Sequence, residues 1–244
     1  YGKKISLTLL PRLGYFEIPG RKSAGEVNQE FLSWLDHSGS RPFFAFLNYL
    51  DAHDPYLPPE PYRTRFSTDV SRGDVINFQF QVPFRRKAEV SPAEIQQEIN
   101  SYDGALSYLD AQVGALVNEL AARGLQENTL VVITSDHGEA FGNHNLFGHG
   151  NSLYLESLHV PLIFYWPGKV PAGQRLAPVA GLNHLPATLM DLLQAGSASQ
   201  FPGRSLAQLW EQPDQGSESF SPVVAELSAG RFDHSGMDYP NANE

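Results

Sequence analysis

An apolar strand that runs straight into an aspartate, a histidine and a glycine constrains this chain more than any other feature. Thr129-Leu-Val-Val-Ile-Thr134 has the character of a buried parallel strand. It stops at Ser135-Asp136-His137-Gly138. In open α/β sheets, ligands sit outside the carboxyl ends of the strands. An adjacent carboxylate and imidazole at that point can face one ion, and Gly138 lets the backbone turn away. His137, His144 and His149 follow one another closely. Taken alone, Asp-His-Gly reads first as a polar strand-end turn and only second as a metal site.

The same design occurs upstream. Pro42-Phe-Phe-Ala-Phe-Leu-Asn-Tyr-Leu50 is a second apolar strand, and it ends in Asp51, His53 and Asp54 followed by prolines. Downstream, Val160-Pro-Leu-Ile-Phe-Tyr-Trp166 reads as a third strand, stopped by Pro167-Gly168. Helices alternate with these strands. Ala24 to His37 carries Val27, Phe31, Leu32 and Leu35 on one side. Ser91-Pro-Ala-Glu94 is a capping box with proline at the first helical position. It opens a long helix whose apolar stripe reads Ile95, Ile99, Tyr102, Leu106, Leu109, Val113, Leu116 and Leu120, with Gly124 as its stop. Asn151 or Ser152 can cap a short helix, and Leu185 to Gln194 forms another. Pro222 to Glu226 reads as one more strand. Alternating strands and helices predict an α/β fold with residues 43–49, 129–134 and 161–166 in one largely parallel sheet and the 92–123 helix packed on a face.

Together, these three ordered motifs make the chain resemble the sulfatase family of the alkaline phosphatase superfamily, over a stretch from about Arg21 to Leu206. The resemblance implies a three-layer sandwich with a largely parallel central sheet, incomplete at both ends. Residues 1–244 would then be one portion of a single catalytic domain, with a loop insertion near 58–90. The family's nucleophile and two further metal ligands lie in an N-terminal segment without a counterpart before residue 40, and a smaller C-terminal subdomain usually follows. The chain would therefore be an internal fragment, inactive by itself.

The resemblance also distributes roles. Asp136 and His137 match the downstream pair of metal ligands. A hard carboxylate suits calcium, magnesium or manganese, while the imidazole tilts towards zinc or manganese. Calcium leads by resemblance, with manganese or zinc as alternatives. His53 matches the histidine that contacts the sulfuryl or phosphoryl group. His149 falls where many sulfatases carry a lysine, and it can still donate a proton near neutrality. His144 and Glu139 match supporting places, and Asn183-His184 stands where relatives have an aspartate before Pro186. The implied reaction is metal-dependent hydrolysis of an anionic sulfate ester. Phosphodiester or phosphonate hydrolysis, transfer of a phospho-alcohol group, and non-catalytic binding by the same fold remain alternatives.

Bulk composition narrows the partners. A formal net charge of −10 disfavours nucleic acid, which selects a basic face. With no cysteine, thiolate metal sites and disulfides are excluded within this chain. No apolar stretch reaches membrane-spanning length. A periplasmic or extracellular location fits the resemblance, and the oligomeric state is left open. Arg63, Arg65, Arg72, Arg85, Arg86 and Lys87 crowd the 58–90 segment, as either a solvated insertion or a pocket wall for an anion.

Overall fold

Two capping boxes set the two longest helices. In the computed structural model, which describes residues 21–67, 75, 90–196, 200–211 and 223–227, α1 spans Ala24–His37 and α2 spans Pro92–Ala122. Ser23 accepts from the Glu26 amide while the Glu26 carboxylate accepts from the Ser23 amide, and Ser91 and Glu94 repeat the exchange. At the far end of α2, Gly124 adopts φ +68°, its amide donates to Ala121, and Leu125 donates to Leu120. This double closure satisfies carbonyls that the helix end would leave bare.

The buried face of α2 differs from the expected stripe. Leu116 and Leu120 are buried as expected, but nearer the start the buried residues are Glu98, Ser101, Gly104, Ala105 and Tyr108, and Leu106 is exposed. The reason is the small side chains. A Cβ on Gly104 would lie 2.7 Å from the Tyr62 carbonyl, so the loop after His53 approaches where bulk is least. Close approach, rather than hydrophobicity, chooses this face.

Residues 42–50 pair in no ladder among the described residues, which corrects the expectation of a strand at 43–49. Their alternation is nonetheless strand-like. Phe43 packs on Phe31 and Trp34 at 5.9 and 6.1 Å between ring centroids, and the Tyr49 hydroxyl donates to the buried Asn28 at 2.6 Å. The opposite side exposes Phe44 and Phe46 at 81% and 82%. Apolar composition dictates which face is covered, whereas a ladder also needs a neighbouring backbone.

β1 (Val131–Thr134) is followed by a tight hairpin of β2 (Ala140–Phe141) and β3 (Phe147–Gly148), then α3 (Leu155–Leu158) and β4 (Leu162–Tyr165). β4 lies antiparallel to β1, with Val131 opposite Tyr165 and Thr134 opposite Leu162. The expected parallel relation of 129–134 and 161–166 is therefore corrected. A parallel return needs a crossover that carries the chain back along the sheet to the end where the first strand began. Here the chain between the strands holds only a hairpin and one helical turn, and it comes back at the end where β1 stopped. Leu162 and Phe164 on β4 pack against Leu206 and Leu209 beside α5 (Ala207–Glu211). α4 (Leu185–Leu193) carries Pro186 in its first turn, as expected. Residues 223–227 are exposed coil rather than the expected strand, having no ladder partner among the described residues. The structure is α/β in class.

Candidate active site

Three chain segments meet where β1 ends. The first is the turn at 51–55, which carries His53. Arg21 grips it from outside. One guanidinium nitrogen donates to the Asp54 and Pro55 carbonyls, both at 3.2 Å, and the other donates to the carbonyls of Leu50 and of His53, the latter at 2.8 Å. Burial pulls the Arg21 pKa down, opposed by Asp51 and Asp54. Burial raises Asp51, opposed first by a hydrogen bond from the Ala24 amide at the start of α1. The turn is thus tied to the chain at residues 21–24 from both sides. His53 Nδ1 lies 2.8 Å from the Asp54 carbonyl and 2.7 Å from its carboxylate.

The second segment is the end of β1. Gly138 is needed here for space. A Cβ would fall 2.0 Å from the Glu156 carbonyl oxygen, and the Gly138 amide donates to Ser157 at 2.8 Å. This packing turns the chain immediately after His137. The Asp136 carboxylate accepts from the His137 amide at 3.1 Å and is 89% exposed. His137 Nδ1 faces the Gly138 carbonyl at 2.9 Å, while its Nε2 lies 3.7 Å from the Asp136 carboxylate.

The third segment is the β2–β3 hairpin and the loop after it. His149 Nδ1 lies 3.2 and 3.3 Å from the two carboxylate oxygens of Glu139, whose side chain is only 6% exposed. The Tyr56 hydroxyl, from the His53 loop, donates to the same carboxylate at 2.8 Å. The Glu139 hydrogen bond raises the His149 pKa, with burial opposing. Burial first, then the neighbouring Glu139, raises that of Tyr56. Tyr56, Tyr102 of α2 and Phe141 of β2 pack ring against ring, with centroids 5.0–6.2 Å apart, and join the three segments beneath the histidines.

The structure brings His53, Asp136, His137 and His149 together. The His149 ring stacks on His137 at 3.9 Å and meets His53 edge-on at 5.2 Å. All three imidazoles share one arrangement: Nδ1 faces an oxygen that can only accept. Each therefore carries its proton on Nδ1 when neutral, and Nε2 is the nitrogen left for other contacts. His144 behaves differently. It lies in the left-handed region at φ 53°, stacks on Tyr154 at 3.7 Å and has Nε2 3.6 Å from Glu156. Among the described residues, no group of three or more histidines and carboxylates has the arrangement of a metal site. Asp136 and His137 nevertheless suit a share of one: His137 Nε2 and the Asp136 carboxylate oxygen that also accepts from the His137 amide lie 3.7 Å apart, which fits a common ion at ligand distances of about 2.0–2.6 Å.

Sequence reasoning missed Arg21 and Tyr56. Tyr56 lay inside the His53 motif, in which only the histidine and aspartates bear obvious chemistry. Arg21 precedes a capping box and carries no local signal. Of the basic residues near 58–90, Arg63 pairs with Glu60 and Arg65 reaches Ser107, while Arg72, Arg85, Arg86 and Lys87 lie outside the described residues.

A sequence profile of the sulfatase family matches residues 8–195, and the chain belongs to that family. It is 34% identical over 216 residues to the iduronate 2-sulfatase of Homo sapiens, covering 80% of this chain and 38% of that protein. It is 26% identical over 185 residues to an arylsulfatase of Clostridium perfringens, covering 71% of this chain and 38% of the relative. The chain thus spans well under half the length of these relatives. Among solved structures, the phosphonate monoester hydrolase of Silicibacter pomeroyi superposes with a TM-score of 0.61 at 23% identity, covering 84% of this chain and 43% of that one. That likeness shows a shared α/β fold.

Proposed function

We propose that this chain contributes the substrate-facing part of a metal-dependent sulfuric ester hydrolase. The observation that supports it is the meeting of His53, Asp136, His137 and His149 at the end of β1, in a member of the sulfatase family. Residues 1–244 are one portion of a single catalytic domain.

Sulfate monoesters resist attack because their negative oxygens repel a nucleophile. Asp136 and His137 hold a divalent ion together with ligands from outside this pair, calcium first and manganese or zinc next. When bound, such an ion supplies Lewis acidity towards ester oxygens. The chain's own groups do the rest. His53, held at Nδ1 by Asp54, meets a non-bridging oxygen of the substrate through Nε2. The Glu139 hydrogen bond raises the His149 pKa, and the protonated form of His149 presents an Nε2–H. As a nucleophile from outside the described residues bonds to sulfur and takes the sulfuryl group, the bond from sulfur to the bridging oxygen breaks, and that oxygen takes the His149 proton and leaves as the alcohol. This replaces the ammonium that many sulfatases use at the same place. No nucleophile is assigned among the described residues.

A phosphate or phosphonate ester is the second reading. It is favoured by the histidine at position 149, where many sulfatases have lysine. The discriminating experiment offers the full-length, metal-replete protein an aryl sulfate, an aryl phosphodiester and an aryl phosphonate monoester. The first reading expects the aryl sulfate to have the highest kcat/KM. A preference for either phosphorus ester establishes the second reading, and no turnover of any of the three contradicts both.

A further inference from the structure

A single buried carboxylate joins the two histidines proposed to touch substrate. His53 and His149 are far apart in sequence, yet their rings meet at 5.2 Å. The bridge between their segments is Glu139. One side of its carboxylate receives the hydroxyl of Tyr56, three residues after His53, at 2.8 Å, and both oxygens face His149 Nδ1 at 3.2 and 3.3 Å. Tyr56 is itself 3% exposed and wedged between Tyr102 and Phe141. A carboxylate so enclosed cannot swing away, because both neighbours are fixed by packing.

We infer that Tyr56, Glu139 and His149 form a positioning chain: Glu139, locked by the Tyr56 hydroxyl, fixes the ring orientation and Nδ1–H tautomer of His149, so that Nε2 faces the same space as His53. The inference rests on the reading of His149 as a substrate-facing group. Glu139 touches no reacting atom. Its effect reaches the reaction only through His149, as partners of metal-bound and catalytic histidines act through the second ring nitrogen. Tyr56 contributes by removing rotational freedom from the carboxylate, and it links the His53 turn to the hairpin in the same bond.

The test uses the full-length protein with selectively ¹⁵N-labelled histidine and three variants: Glu139→Leu, Glu139→Gln and Tyr56→Phe. Two readouts are taken. Long-range ¹H–¹⁵N correlation spectra report the His149 tautomer, assigned by its loss in His149→Ala. Steady-state kinetics on the best of the aryl esters report kcat and KM separately. At a pH high enough to leave the ring neutral, His149 of the parent protein is expected as a single species with its proton on Nδ1. Glu139→Leu turns it into a tautomer mixture and lowers kcat about 10- to 100-fold, with bound metal unchanged. Glu139→Gln keeps an acceptor oxygen, restores the single tautomer and recovers most of the rate. Tyr56→Phe lowers kcat about 5-fold and adds nothing when combined with Glu139→Leu, because both act through one chain.

An unaltered tautomer with parental kcat in Glu139→Leu overturns the inference. So does a Glu139→Gln protein as impaired in both readouts as Glu139→Leu. If Glu139→Leu fails to fold, Tyr56→Phe retains the ring packing and decides the matter: an unchanged spectrum and rate in that variant overturn the inference. The spectra need no substrate. A protein that hydrolyses no ester therefore sinks the hydrolase reading, while the tautomer still judges the positioning chain.

Discussion

Adding one methyl group at Gly138 and at Gly114 should have effects of opposite sign. At Gly138 a Cβ would stand 2.0 Å from the backbone oxygen of Glu156. Normal carbon–oxygen contact is about 3.3 Å, so roughly 1.3 Å must be found by moving main chain. Overpacking of that kind costs about 1–3 kcal/mol. The shift also breaks the Gly138 amide bond to Ser157, removing about another 1 kcal/mol. Gly138→Ala is therefore expected to destabilise by about 2–4 kcal/mol. At Gly114, in the exposed middle of α2, a Cβ meets nothing within 4 Å. Gly114→Ala gains about 0.5–1 kcal/mol by restricting the unfolded chain. The assay is reversible chemical denaturation of the full-length protein and both variants, followed by circular dichroism. Equal midpoints for the Gly138 variant and its parent would refute the reasoning, since they would mean that the β1 end and the 156–157 backbone do not pack as described. Destabilisation by Gly114→Ala would refute the account of α2.

Other outcomes follow from the same geometry. Replacing His149 by Ala should leave bound metal intact while lowering kcat about 10²–10⁴-fold, checked by elemental analysis beside kinetics. Arg21→Ala frees four carbonyls of the His53 turn and should raise KM and the local amide exchange rate at 50–55, with Arg21→Lys recovering only part because an ammonium cannot span the same fork. In chelator-treated protein, the raised His149 pKa means that its charged contact with Glu139 stabilises fully below the unfolded value near 6.5 and fades as pH rises through the folded one. The stability gap between the parent and His149→Ala should accordingly narrow as pH rises above about 6.5, as read from denaturation midpoints.

Much of this architecture was legible in the sequence, for identifiable reasons. Both capping boxes and the Gly124 stop are local chemistry, so α1 and α2 could be placed from a few residues each. The meeting of His53, Asp136, His137 and His149 was legible only because three motifs occur in a familiar order, not because any one of them implies contact. What stayed hidden was non-local. The antiparallel sense of β1 and β4 depends on how the chain returns, and two apolar runs look alike in either direction. The buried face of α2 follows the Tyr62 backbone against Gly104, which no periodicity of apolar residues reports. The grip of Arg21 on four carbonyls spans about thirty positions and uses main-chain acceptors, which have no sequence signature.

The central claim is that Asp136 and His137 serve a metal that hydrolysis of a sulfate ester requires. The most direct measurement is the metal content and aryl-sulfate turnover of the full-length protein and its Asp136→Ala variant, purified side by side. The variant is predicted to lose the ion and its turnover together while keeping its circular dichroism spectrum. Full turnover in Asp136→Ala, or hydrolysis that continues unchanged after the metal has been stripped, would contradict the claim.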